Sequence, residues 1–492
     1  MLSYIHKLKV YQHKTAVISN HKTYTYAQLL DQSALVAATL LGDKKDLAEQ
    51  RVAFMINPGV DYVAIQWGIW LAGGVAVPLC ITHPANALEY VLDDTAASII
   101  ITDTEYADVL RPLAVAKEIV YYENDYLANN QELVELPSIE LSRMAMILYT
   151  SGTTNLPKGV ISTFENLEAQ ISTLLSAWEW KDSDHTLCLL PLHHVHGIVN
   201  VVCCSLAAGA TCQFLSKFSP EAVFQIFMQQ QVNVFMAVPT IYFKLIAYWD
   251  TLSKAEQHTI KSTLEKFRLM ISGSAALPVT VMERWKDISG HVLLERYGMT
   301  EIGMAISNPY RGERLAGYVG LALPGVAVRL ASEEDLEVVD EAGEIQIKGK
   351  NVFAGYWQRA EETKKSFTTD GWFKTGDIAV CEQGYYKILG RNSTDIIKSG
   401  GYKISALEIE EVLRTHPEIE DCAVVGIDDE EWGELVVAAL VAEPSIDTQA
   451  VNTWIRGLMA PYKTPKKYIV VPDLPRNAMG KVTKKDIKAM FN

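Results

Sequence analysis

Ile147-Leu-Tyr-Thr-Ser-Gly-Thr-Thr-Asn-Leu-Pro-Lys-Gly-Val160 joins a β-prone apolar run to a turn crowded with hydroxyls and closed by one cation. The run ends at Tyr149. Thr150, Ser151, Thr153 and Thr154 then surround Gly152, and Lys158 follows the proline. Hydroxyls and backbone N–H groups in a glycine-containing turn meet phosphate oxygens from several directions, while a lysine offsets their charge. The turn therefore suits a triphosphate. Because Lys158 is followed by Gly159 and Val160, it lacks the lysine–Ser/Thr ending of a Walker loop, and an NTPase of that class is disfavoured.

Outward from this turn, residues 50–300 alternate short β-rich runs (97–102, 118–122, 186–190, 233–238, 268–272) with longer stretches of helical period. This alternation predicts layered parallel α/β structure. The apolar stretch from Tyr62 to Ile81 changes sense at Gly73-Gly74 and holds Gln66 and Pro78, so it reads as a buried helix running into a buried strand, not a membrane span. Between Gly317 and Gly390, glycine-punctuated strands predict a more antiparallel, barrel-like part. After Arg391 comes a small α+β piece, in which Ser405 and Glu408 form a capping box and the tail is basic. The expected fold is α/β: a large N-terminal domain, 1–390, and a small mobile domain, 391–492.

A chain of 492 residues with 49% hydrophobic and 21% charged content supports a large core in at least two domains. The net charge of −15 argues against a nucleic-acid or anionic-lipid surface. Seven cysteines lack metal spacing, and the N-terminal stretch lacks targeting character; both features predict a cytoplasmic enzyme.

With YTSGTTNLPKGV at 149–160, six further blocks occur in one order: PLHHVHG (191–197), GSAALP (273–278), ERYGMTE (295–301), KTGD (374–377), GRNSTDIIKSGGYKIS (390–405) and PRNAMGKV (475–482). This set resembles the adenylate-forming superfamily of acyl-CoA synthetases, peptide-synthetase adenylation domains and luciferases, over residues 10–485. The resemblance implies ATP, Mg2+ and CoA as reactants. It places Thr150, Ser151, Gly152, Thr153, Thr154 and Lys158 on the phosphates. Ser274, Ala275, Ala276, Glu295, Arg296, Tyr297, Gly298 and Met299 would surround the nucleotide, with Tyr297 on adenine. Thr300 would bind the α-phosphate and Glu301 would hold Mg2+, which prefers hard oxygen ligands. Asp377 would accept from the ribose hydroxyls, and Arg391 would lie at the domain boundary. Lys481 would be the mobile lysine that bridges carboxylate and α-phosphate, then withdraws to admit a thiol.

The hinge departs from the commoner pattern: Asn392, Ser393, Thr394 and Asp395 follow Arg391, and the pivot is Ser393 or Thr394. Lys398 and the Gly400-Gly401-Tyr402 loop are candidates for the thiol side. Where many relatives that take apolar acids have a small residue, this chain has Arg296, which suits a second carboxylate. With His194, His196 and Ser307 as further substrate candidates, the sequence resembles malonyl-CoA synthetases, and the expected acid is malonate or methylmalonate. For the two histidines, packing or gating is an equal alternative. The competing readings are a short- or medium-chain fatty acyl-CoA synthetase, an adenylation enzyme that charges a carrier-protein pantetheine, and a non-catalytic nucleotide scaffold.

Overall fold

The computed structural model describes residues 2–127, 134–150, 157–332, 336–338, 341–477 and 480–491. Short β-branched runs separated by amphipathic helices assemble two large sheets. One has nine strands, in the order Leu321–Ala322, Gly303–Ser307, Leu294–Met299, Leu269–Ser272, Val234–Ala237, His185–Cys188, Thr211–Phe214, Thr15–Ser19 and Lys22–Thr25. Its interior pairs run parallel and only its edges are antiparallel. The other has seven strands, with a parallel interior formed by Met144–Thr150, Val75–Pro78, Arg51–Met55, Ile99–Thr102 and Val120–Glu123.

One continuous core joins Val17, Met236 and Ile271 of the first sheet to Val52, Phe54 and Ile101 of the second through helices Tyr26–Leu41 and Val60–Leu71. A helix covered on every side has no use for a polar face, and in Val60–Leu71 every residue except Asp61 is buried. This explains the apolar stretch that starts at Tyr62, which continues as predicted into strand Val75–Pro78. Among the described residues no helix is long and apolar enough to cross a membrane.

The glycine-punctuated part forms a four-stranded antiparallel sheet, Val326–Ala331, Gly343–Gly349, Phe373–Glu382 and Tyr385–Arg391. Its outer strands are not paired to each other among the described residues. A last sheet holds Tyr402–Ser405, Ile396–Ser399, Gly433–Val441, Asp421–Asp429 and Lys467–Val471. Packed on it is helix Ala406–Leu413, whose start corrects the expected capping box. Ser405 Oγ does accept from the Glu408 N–H at 3.2 Å, but the Glu408 carboxylate turns away to Lys463 at 2.7 and 2.8 Å. A full ammonium outbids one backbone donor.

All seven cysteines are free thiols, and all but Cys381 are buried. Burial pushes the Cys203 thiol up to about 12 and raises Cys204 and Cys212 well above the ordinary value.

Asp184 ties the nine-stranded sheet together. It accepts from Arg268 Nε at 2.6 Å and Nη2 at 2.5 Å, from Asn233 Nδ2 at 3.2 Å and from the Lys181 N–H at 2.8 Å. Asp184→Ala leaves the mostly buried guanidinium unpaired, so we expect a loss of about 3 kcal/mol of stability, read from the denaturant midpoint at unchanged slope.

Candidate functional site

Adjacent parallel strands deliver their following loops to one edge of a sheet, where α/β folds bind ligands. Strands His185–Cys188, Val234–Ala237, Leu269–Ser272 and Leu294–Met299 are such neighbours. They carry the 191–197 block, Pro239-Thr240, the 273–278 loop and Tyr297–Glu301 to the same edge. The 149–160 segment arrives from the other sheet. Met144–Thr150 and Lys158–Thr163 pair antiparallel with Thr150 facing Lys158, so the segment leads from one strand into its neighbour. Of the expected phosphate ligands, Ser151, Gly152, Thr153 and Thr154 lie outside the described residues, while Thr150 and Lys158 lie within them.

Lys158 forms an ion pair with Glu362, and its ammonium stands 5.3 Å from the centre of the Tyr356 ring. The Tyr356 hydroxyl donates to Glu301 Oε1 at 3.0 Å. Burial raises the Glu301 carboxyl above its ordinary pKa, against the Tyr356 hydrogen bond and Arg391. Tyr356, Glu362 and His83 are site residues that no sequence motif announced. They come from segments distant in sequence, and only the fold brings them near Glu301, Lys158 and His193.

Asp377 joins two further candidates: Tyr297 Oη donates to its Oδ2 at 2.6 Å, and Arg391 Nε to its Oδ1 at 3.0 Å. Although burial lowers the Arg391 pKa, Asp377 and Tyr297 outweigh it and leave the net shift upward. Thr300 sits half-buried in the turn before Glu301, Gly298 and Met299 end the strand beside it, and Ala275 and Ala276 are exposed on the 273–278 loop.

Arg296 is 3% exposed. Its guanidinium lies over Gly273, where a Cβ would come within 2.5 Å of the Arg296 Cζ, so only glycine leaves room for it. Nη2 donates to Ser274 Oγ at 3.4 Å, and Nε has no partner among the described residues. Burial lowers the Arg296 pKa to about 9. Neither neighbouring carboxylate, Glu295 nor Glu301, forms an ion pair with it among the described residues. Glu301 is engaged with Tyr356, and the buried Glu295 carboxyl, pushed up to about 8 by burial, accepts the Leu277 N–H at 3.1 Å. In this structure Glu295 therefore holds the 273–278 loop.

His196 Nδ1 meets Ser274 Oγ at 3.0 Å, while its buried Nε2 has no partner among the described residues. The His194 ring centre lies 4.0 Å from that of His193 with the rings tilted by 51°, and burial, with Lys481 and His83 nearby, lowers the His194 pKa to about 4. Both histidines are thus held neutral at physiological pH. Ser307 lies across the ladder from Arg296, but its hydroxyl accepts from Trp178 Nε1 at 3.1 Å and donates to the Asn308 carbonyl at 2.8 Å. That hydroxyl is engaged within the fold on both its donor and its acceptor side.

Lys481 reaches the same cleft from the last sheet's side of the molecule. The protein packed around the cleft lowers its pKa. Arg391 and Arg296 lower it further, against Asp377 and Glu301. Three cations and two carboxylates thus bear on one space, an arrangement that holds anions and carries charge from one to another.

The model of the AMP-binding enzyme family matches residues 6–357, and that of the AMP-binding enzyme C-terminal domain matches 408–481. The chain belongs to the AMP-binding enzyme family. Among its relatives, "Malonate--CoA ligase ACSF3, mitochondrial" of Xenopus laevis is 42% identical over 98% of this chain and 90% of its own length. "Malonate--CoA ligase" of Arabidopsis thaliana is 39% identical over 96% and 86%. The solved structure of ATP-bound MatB from Rhodopseudomonas palustris superposes with a TM-score of 0.92 at 33% identity, covering 99% of this chain and 98% of that one.

An AMP-binding enzyme must grip ATP before any chemistry. Asp377→Ala removes the shared acceptor of Tyr297 and Arg391, and we expect ATP affinity to fall about 10- to 100-fold, the worth of one charged hydrogen bond. Titration calorimetry checks this; unchanged affinity takes Asp377 out of the nucleotide site.

Proposed function

We propose that the chain is an AMP-forming acid–thiol ligase that converts malonate, ATP and CoA into malonyl-CoA, AMP and pyrophosphate, with methylmalonate as a second acid. The observation that carries the choice of acid is Arg296, a buried guanidinium that among the described residues has no ion pair and an unpartnered Nε, beside His196, whose Nε2 is likewise unpartnered among them. An uncompensated buried cation is costly, and a dicarboxylate supplies the missing counter-charge through the carboxylate that does not react. A monocarboxylic fatty acid would leave Arg296 unmatched. The names of the relatives support the same choice.

In the first half-reaction a malonate oxygen attacks the α-phosphorus of ATP, the bond from that phosphorus to the bridging oxygen breaks, and pyrophosphate leaves. Lys481 lies between the incoming carboxylate and the α-phosphate and offsets their repulsion. Lys158 exchanges Glu362 for phosphate oxygens. Asp377 holds the ribose diol and, through Tyr297 and Arg391, fixes the nucleotide's position. Glu301, a buried carboxyl that accepts from Tyr356, would hold Mg2+, which takes one or two carboxylates from a protein and would supply charge neutralisation at the triphosphate. In the second half-reaction the CoA sulfur attacks the acyl carbon, the carbon–oxygen bond to AMP breaks, and the thiol proton leaves to solvent.

We place the division between the two domains at 390/391. There the chain makes a tight turn in which the Thr394 and Asp395 N–H groups both donate to the Arg391 carbonyl, at 3.1 and 2.8 Å. A pivot at Ser393 or Thr394 would withdraw Lys481 and admit the thiol. The free thiols support a reducing compartment, and we propose the cytoplasm.

Lys481→Ala is expected to lower malonate-dependent ATP–pyrophosphate exchange about 100-fold or more, as loss of transition-state charge stabilisation does, and to spare thioester formation from pre-made malonyl-AMP. The same lysine sets a pH limb. It must be protonated for adenylation, and its lowered pKa makes the rate fall with rising pH earlier than the ordinary lysine value of 10.5 would dictate. The thioester step should lack that limb.

Arg296→Leu should cost malonate about 2–4 kcal/mol in kcat/KM and narrow the gap to butyrate, in a pyrophosphate-release panel of malonate, methylmalonate, acetate, butyrate and octanoate with CoA. A wild type that prefers butyrate or octanoate overturns the choice of acid.

A further inference from the structure

Helix Val279–Ser289 begins after Pro278, with no side-chain cap from its own segment. Its first N–H groups have no intrahelical partners. The Val279 N–H donates instead to Glu411 Oε2 at 3.0 Å, across the proposed domain boundary. Glu411 belongs to helix Ala406–Leu413, and a carboxylate at a helix N-terminus is favoured by both the free donors and the helix dipole.

The other oxygen of this carboxylate opens a chain of alternating charges. Glu411 Oε1 accepts from Arg414 Nη1 at 3.0 Å, and Arg414 Nε donates to Asp421 Oδ1 at 3.2 Å. Asp421 Oδ2 accepts from Arg476 Nη2 at 2.5 Å, and Arg476 Nη1 donates to the Gly480 carbonyl at 2.8 Å. Gly480 immediately precedes Lys481. It has φ of +76°, where glycine is at ease, and a Cβ there would meet Thr240 Oγ1 at 2.9 Å. The Lys481 turn is therefore seated on the N-terminal side at Thr240 and braced from behind by Arg476.

We infer that Glu411 is a positioning residue: its cap on Val279 fastens the C-terminal part in the orientation that brings Lys481 to the nucleotide, and Arg414, Asp421 and Arg476 relay that fastening to the lysine turn. The inference rests on the two-step reaction proposed above. Only the first step uses Lys481 in the cleft, so only the first step needs the fastening. A single hydrogen bond to a partly exposed carboxylate is weak enough to break on every turnover, as an element that must open between two half-reactions requires.

The contact has two ends, and each can be cut alone. Glu411→Ala removes the acceptor. Val279→Pro removes the donor without touching the C-terminal part. Proline is tolerated at a first helical position, and Pro278, at ψ 135°, already has the backbone that a residue before proline adopts. Three readouts apply to each variant: malonate-dependent ATP–pyrophosphate exchange, thioester formation from pre-made malonyl-AMP, and the distance distribution between spin labels at exposed Glu265 and Gln449.

In both variants we expect exchange to fall about 3- to 10-fold, matching the loss of one such hydrogen bond, with thioester formation unchanged and a smaller population at the distance of the docked orientation. Equal loss in both half-reactions, an unaltered exchange rate and docked population, or an effect confined to one end of the contact would each overturn the inference. A wild type without malonate-dependent exchange would instead overturn the proposed acid, and the label distances would still decide the fastening.

Discussion

Arg296 carries a full charge in a place that water does not reach, and much of the surrounding architecture serves to hold it there. Its strand, Leu294–Met299, is the last parallel member of the nine-stranded sheet. Gly273 clears the space its guanidinium fills, and Glu295, pinned to the Leu277 N–H, keeps the loop that carries Gly273 and Ser274 in place. Ser274 in turn links Arg296 to His196. Burying a cation costs free energy that packing alone does not return. A protein that keeps one there with no carboxylate on it among the described residues has built half of an ion pair.

The other half of the chemistry is placed by a different principle. Asp377 comes from the four-stranded sheet, Tyr297 from the nine-stranded one and Arg391 from the end of strand Tyr385–Arg391, where the chain passes into its last sheet. Two structural units, the nine-stranded and the four-stranded sheet, thus meet on one carboxylate. Lys481 adds a third approach, from a turn that is held on one side by Thr240 and on the other by Arg476. The sheets supply the fixed groups, and Lys481, the group proposed to travel, sits at the end of a relay of reversible contacts.

What could be read directly from the chain follows from the range of each interaction. The helix–strand change within Tyr62–Ile81, the alternation of strands and helices, and the ordered motif blocks are local patterns, and the structure realises them with boundaries moved by one or two residues. The pairing of Ser405 with Glu408 was only half legible, because Lys463, 55 positions further along, competes for the same carboxylate. Glu295 stands inside the ERYGMTE block and Ser307 across the ladder from Arg296, and each also has an internal hydrogen-bond partner that no local pattern announces. Tyr356 and Glu362 carry no motif. Their place beside Glu301 and Lys158 depends on the crossing of strand Gly355–Tyr356 onto Lys158–Thr163, a tertiary event with no local signature.

The ion pair between Lys158 and Glu362 shapes what the resting enzyme is willing to hold. A lysine that already has a carboxylate partner gains nothing from a visiting anion unless that anion outcompetes the incumbent. Inorganic phosphate or a stray carboxylic acid offers one modest contact in exchange for another, whereas a triphosphate anchored at the same time by its sugar and its base arrives with the advantage of multivalency. With Lys158 in its proposed place on the phosphates, self-neutralisation would act as a threshold, admitting a polyanion that is recognised at several points and leaving the abundant small ones in solution.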